Sequence, residues 1–168
     1  MVPRNVNNTV YLDHIEETHG RWRTRLSSTM KMAANSKKTR LIALCRHELP
    51  SGPPHLDLFL GPEGPAGDED RVVLTWRLNE DPMNLLEEEF REVTPLSMHR
   101  GKYLHLDGPV EPRSTQGTVT PLRRGHCTVE EGSDRPLLVT IRWEDGSSGC
   151  FELHDQYIKR LPMNGPHT

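Results

Sequence analysis

His55-Leu56-Asp57-Leu58-Phe59-Leu60 decides the fold class. Side chains alternate across a β-strand, so Leu56, Leu58 and Leu60 face one way and His55, Asp57 and Phe59 the other. The same two-residue period recurs on both sides of this stretch. Leu41–Cys45 is a short apolar run. In 72–78, Val72, Leu74, Trp76 and Leu78 alternate with Val73, Thr75 and Arg77. Tyr103–Asp107, Leu137–Trp143 and Cys150–Leu153 read the same way. Asp145-Gly146, between the last two runs, marks a turn lengthened by Ser147 and Ser148. Gly/Pro-rich punctuation such as GPEGPAGDED at 61–70 separates the runs. Residues 84–91, with Leu85, Leu86 and Phe90 among acids, are the best short-helix candidate, and a weaker one spans 10–26. The expected fold is mainly β: a small antiparallel β-barrel of six to eight short strands with one or two short helices.

The chain has 168 residues, of which 33% are hydrophobic, 14 are Pro and 13 are Gly. That length suits one domain. We expect a poorly patterned basic arm over 1–36, the β domain over 37–160 and a tail over 161–168. No apolar run reaches the roughly 18 residues of a membrane-spanning helix. The first 25 residues lack the apolar core of a secretory signal. Cys45, Cys127 and Cys150 are odd in number and not in C-x-x-C spacing, which argues against a disulfide scaffold or a cysteine zinc site. A soluble, cytoplasmic protein without a membrane partner is expected.

Charge is uneven along the chain. Residues 1–46 carry nine Lys/Arg against three Asp/Glu, whereas 47–94 carry three against twelve. A basic arm on a neutral-to-acidic body can bind a polyanion through counterion release, although such arms are commonly just solvated.

The chemistry concentrates around Arg46-His47-Glu48-Leu49-Pro50-Ser51-Gly52-Pro53-Pro54-His55-Leu56-Asp57. His55 and Asp57 share a strand face. If the loop 48–54 closes a hairpin, His47 returns beside them. Two imidazoles and one carboxylate hold a divalent ion with positions left open for water and substrate. The plainer reading of H-x-D is a hydrogen-bonded pair at a strand edge. A second polar group comprises Arg91, His99, Tyr103, His105 and Asp107, whose Arg, His and Tyr are suitable donors to a phosphoryl oxygen. The plainer reading there is an exposed sheet face.

Taken in order, these residues resemble the 3′-phosphoesterase domain found at the N-terminus of many bacterial ligase-D DNA repair proteins. The likeness runs from about Arg40 to Leu153. It rests on His47 before a loop, then His55-Leu56-Asp57-Leu58-Phe59, then Leu74-Thr75-Trp76. Arg91, His99, Tyr103 and Asp107-Gly108 follow at the family's spacings, with Gly117-Thr118-Val119 and Gly125-His126-Cys127-Thr128 after them. The resemblance implies a β-barrel with a divalent metal, typically Mn²⁺, held by His47, His55 and Asp57. It implies phosphate contacts from Arg91, His99 and Tyr103. The implied substrate is a nucleic-acid 3′ end at a primer–template junction, trimmed of a terminal ribonucleoside and then of a 3′-phosphate. A ligase or polymerase partner would act in trans. Two family cations are absent: the arginine after H-x-D is Phe59, and a lysine four residues after the tryptophan is Glu80. Losing one preorganised donor costs about 100- to 1000-fold in rate. The alternative is therefore a non-catalytic nucleic-acid-binding or accessory module that keeps the barrel and the metal pocket. Iron(II)-dependent oxygenation is a third use of two His and one carboxylate, and it lacks the usual long gap before a second histidine.

Overall fold

The structure is a computed structural model that describes residues 38–111, 116–130 and 137–163. The helix expected over 10–26 and the whole arm over 1–36 lie outside those residues. Among the described residues there are nine strands: β1 (Lys38–Glu48), β2 (His55–Leu60), β3 (Arg71–Leu78), β4 (Phe90–Glu92), β5 (Thr94–Arg100), β6 (Thr118–Glu130), β7 (Leu137–Trp143), β8 (Ser148–Leu153) and β9 (Tyr157–Leu161). They form one antiparallel sheet in the order β4-β9-β8-β7-β6-β1-β2-β3-β5. The mainly β expectation holds. No ladder joins β4 to β5 among the described residues, so the ladders define a sheet with two edges. Val93 alone separates those edge strands in the chain.

Residues paired across a ladder share a face. Trp76, Leu58 and Leu44 line up across β3, β2 and β1, as do Leu74, Leu60 and Ile42. The same face continues through β6 to Trp143, Ile141 and Val139 on β7 and Phe151 on β8, all buried. On the opposite face of β1–β3, Ala43, Cys45, Phe59 and Val73 form a second apolar cluster with Tyr103, Leu104 and Val119. Strands β1–β3 are thus buried on both sides, which explains why their sequences are near-continuous apolar runs. The candidate site lies on this second face.

Two local expectations are corrected. Residues 84–91 are not a helix. A single 3-10 turn, Pro82–Asn84, is capped by Asp81, whose Oδ1 accepts the Met83 N–H at 2.9 Å. Beyond it Leu85 is buried, but Leu86 and Phe90 are 74% and 61% exposed, so the three share no face. The backbone finds partners on β9 instead of in a helix. Arg160 donates to the carbonyls of Met83 and Leu85 at 2.9 and 2.7 Å. The Arg160 carbonyl accepts from Glu88, and its N–H donates to Glu89. Tyr103–Asp107 is likewise not a strand. Gly101–Leu104 is a 3-10 turn. Gly101 packs so closely on the Gly67 carbonyl that a Cβ would overlap it. Its N–H and that of Lys102 donate to the carbonyls of Asp70 and Asp68, each at 3.0 Å. Adjacent Tyr103 and Leu104 are then both buried in the second cluster, which strand alternation would forbid. The Asp145-Gly146 turn forms as expected, with Trp143 and Ser147 bonded at 2.9 Å.

Candidate metal centre

Loop 49–54 closes the β1–β2 hairpin, and the register sets His47 directly opposite His55 and Cys45 opposite Asp57. One ligand atom each from His47, His55 and Asp57 lie within 4.8 Å of one another. The two imidazoles meet edge to face with ring centroids 4.9 Å apart. Nδ1 of His47 is 3.3 Å from Oδ2 of Asp57, and Nε2 of His55 is 3.6 Å from Oδ1. The sequence expectation that these three groups converge is met.

The donor set fits a cation. Nε2 of His55 and Oδ1 of Asp57 are both buried and without a hydrogen-bond partner. His47 has its tautomer fixed: Nε2 lies 2.6 Å from the Gln116 carbonyl, which only accepts, so Nε2 carries a proton. In the neutral ring Nδ1 then presents a lone pair to a carboxylate oxygen, an arrangement that needs a proton or a metal between them. Donor atoms bound at about 2.1 Å and about 100–120° apart around one ion sit about 3.2–3.6 Å from each other. Gln116 is placed where an outer-shell partner would orient His47 as a ligand. Its placement depends on Gly117, which has φ +78 and no room for a Cβ against the Glu48 carbonyl.

The electrostatics keep the His55 imidazole uncharged at neutral pH. Burial, aided by the charges of Arg77 and His47, lowers the His55 pKa to about 4. Burial raises that of Asp57 against the opposing pull of His47 and Arg77. Cys45 is pushed up to about 12 by burial and by the Asp57 charge, so its thiol stays protonated at neutral pH.

Two of the three expected phosphate contacts adjoin this centre, packed side by side. Phe59, two residues from Asp57, stacks on Tyr103 with centroids 5.3 Å apart and 12° between planes. His99 meets Phe59 and Tyr103 edge to face at 5.4 and 5.6 Å. Nδ1 of His99 donates to the Ser97 carbonyl at 2.8 Å, which leaves Nε2 as the open nitrogen. Burial lowers the His99 pKa, with the Ser97 bond opposing it. Arg91 is positioned differently. It sits on β4, which pairs with β9, and its guanidinium bonds Glu80 at 2.6 Å and also Glu89. Glu80 and Glu89 thus neutralise the Arg91 charge. His105 is exposed, and Asp107 pairs with Arg124 at 3.1 Å.

Sequence reasoning passed over three groups. Cys45 and Arg77 both lie opposite Asp57 in the ladders. Parity was the available signal: Val73, Thr75 and Arg77 form the half of β3 that turns away from Trp76. The third, the Gln116 carbonyl, carries no signal in a side chain. Comparison of this chain with protein-family models, curated proteins and solved structures gives no match.

Proposed function

We propose that this protein is a divalent-metal-dependent phosphoesterase acting on nucleic-acid 3′ ends in DNA end processing, with Mn²⁺ as the ion. The observation that carries the reading is the His47–His55–Asp57 cluster, in which two buried ligand atoms lack any partner. His47, held by Gln116, would bind through Nδ1, His55 through Nε2 and Asp57 through a carboxylate oxygen. The ion supplies Lewis acidity toward a phosphoryl oxygen and lowers the pKa of bound water. His99, with Nδ1 committed to Ser97, can hold a proton at Nε2 beside the reacting group. The phenol of Tyr103 stands next to it. In the overall reaction water oxygen bonds to phosphorus, the bond to the 3′ oxygen breaks, and that oxygen takes up a proton. In this reading the sheet is a barrel whose ends Val93 brings together, the protein is cytoplasmic, and a ligase or polymerase acts with it in trans.

The packing of Phe59 and the pairing of Arg91 with Glu80 and Glu89 favour a second reading, a module that retains the metal pocket and binds primer–template without turnover. An assay of 3′-phosphate and 3′-ribonucleoside release from a primer–template, with Mn²⁺ or with chelator, separates the two. Mn²⁺-dependent release that Asp57→Asn abolishes supports the phosphoesterase. Binding of primer–template with no release supports the module.

A further inference from the structure

Arg77 is the unassigned charge at this centre. The β2–β3 register sets it directly opposite Asp57, and the β3–β5 register sets it opposite Thr94. Directly opposed side chains leave one face together with Cβ atoms about 4.5–5.5 Å apart. Asp57 nevertheless takes His47 and His55 as its partners. The Nε of Arg77 is buried and has no hydrogen-bond partner. Leaving a buried guanidinium N–H unmatched is costly, and an acceptor oxygen would satisfy it. The side chain lines a cavity of about 360 Å³ together with Asn79, Glu92, Val93, Thr94 and Gln156. Arg77 is the one cation among those lining residues, and Glu92 the one acid.

We propose that Arg77 is an anion-binding residue of the metal centre, gripping a phosphoryl oxygen of a phosphomonoester whose other oxygens face the ion at His47, His55 and Asp57. This rests on the phosphoesterase reading and names the group that replaces the cations lost at Phe59 and Glu80. A guanidinium presents its donors in a planar fork that matches phosphate.

The test uses the full chain loaded with Mn²⁺ and inorganic phosphate as the probe, with affinity read by calorimetry and by the Mn²⁺ electron paramagnetic resonance spectrum. Arg77→Gln should weaken phosphate binding about 10- to 100-fold, the range of one charge-assisted contact. The same substitution should tighten Mn²⁺ binding several-fold, because it removes a like charge from beside the ion. Arg77→Lys keeps the charge and should fall between wild type and Arg77→Gln. Should Arg77→Gln fail to fold, the lysine variant decides alone: phosphate affinity equal to wild type overturns the proposal. Absence of phosphate binding by the wild-type Mn²⁺ form overturns it too. Phosphate binding that depends on Arg77 in a protein that releases nothing from 3′ ends retains the anion site and removes the phosphoesterase. Turnover of 3′ ends that is indifferent to Arg77 does the reverse.

Discussion

Nε2 of His55 and Oδ1 of Asp57 face each other across 3.6 Å, both buried and both without a hydrogen-bond partner. Each unmet buried polar atom costs about 1–3 kcal/mol. A cation held between the two would satisfy both at once. The metal-free fold therefore carries a local debt that an ion removes, and the first two predictions test that arrangement from its centre and from its outer shell.

Mn²⁺ at about 100 times its dissociation constant should stabilise the protein by about 2.7 kcal/mol. For a chain of this size that is a rise in Tm of about 5–10 °C over the chelated protein. Asp57→Asn should abolish the rise while leaving the metal-free Tm close to wild type. The reason is that an amide can donate to the His47 or His55 nitrogen that the carboxylate cannot satisfy. Differential scanning fluorimetry of both proteins, with Mn²⁺ and with chelator, checks this. An equal Mn²⁺ shift in the variant would remove Asp57 from the centre.

Gly117→Ala should act on the metal from a distance. The left-handed backbone there costs an alanine about 1–2 kcal/mol, and the added Cβ overlaps the Glu48 carbonyl. The loop must shift, and the Gln116 carbonyl leaves Nε2 of His47. Loss of such an outer-shell partner lowers metal affinity by about 10- to 100-fold. Titration of Mn²⁺ into the folded variant measures it, and affinity unchanged from wild type would show that the carbonyl does not orient His47.

How much of this was legible in the chain depends on whether a residue's partner is near in sequence. Strand β1 follows from its apolar run and β2, β3, β7 and β8 from period-two alternation, and the His47–His55–Asp57 cluster follows from alternation plus one closed hairpin. The helix expected at 84–91 fails because its apolar residues answer to β9, more than 65 positions away, whose Arg160 takes the carbonyls of Met83 and Leu85. Tyr103 fails as a strand residue because a close approach of Gly101 to Gly67 turns the chain there. Arg91 keeps the spacing on which the resemblance rests, yet its charge is consumed by Glu80 and Glu89. Spacing along a chain records position and not which acid lies beside it.

His99 predicts a pH dependence. Its folded pKa is below the unfolded value of 6.5, chiefly through burial. Between the two the unfolded chain binds more protons, so stability rises with pH. The contribution is complete above about 6.5 and is lost as pH falls through the folded pKa. His55, lowered to about 4, acts with the same sign. Metal-free stability measured by urea unfolding should thus decline on acidification below pH 6.5, and His99→Phe should make that decline shallower. A ring proton of His99 that titrates at or above 6.5 by NMR would refute the argument.

Phe59 tests the proposed reaction. By strand parity it shares a face with His55 and Asp57, and the resemblance implies that Phe59→Arg supplies a missing cation and part of the activity, against weak or absent turnover in the natural chain. The fold changes that expectation. Phe59 is 1% exposed, stacked on Tyr103, touched by His99 and set in the cluster with Cys45 and Val73. An arginine there would bury a guanidinium with no carboxylate to spare, since Asp57 is committed to His47 and His55. Burying an unpaired charge costs about 3–5 kcal/mol, about as much as the cavity left by Phe59→Ala. Phe59→Arg should therefore lower the urea midpoint markedly and gain no 3′-phosphatase activity. Mn²⁺ should recover part of that loss by binding the folded state. A Phe59→Arg protein that is as stable as wild type and faster on 3′-phosphate ends would show that the pocket can open to admit the cation, and that the aromatic stack is a replaceable lining.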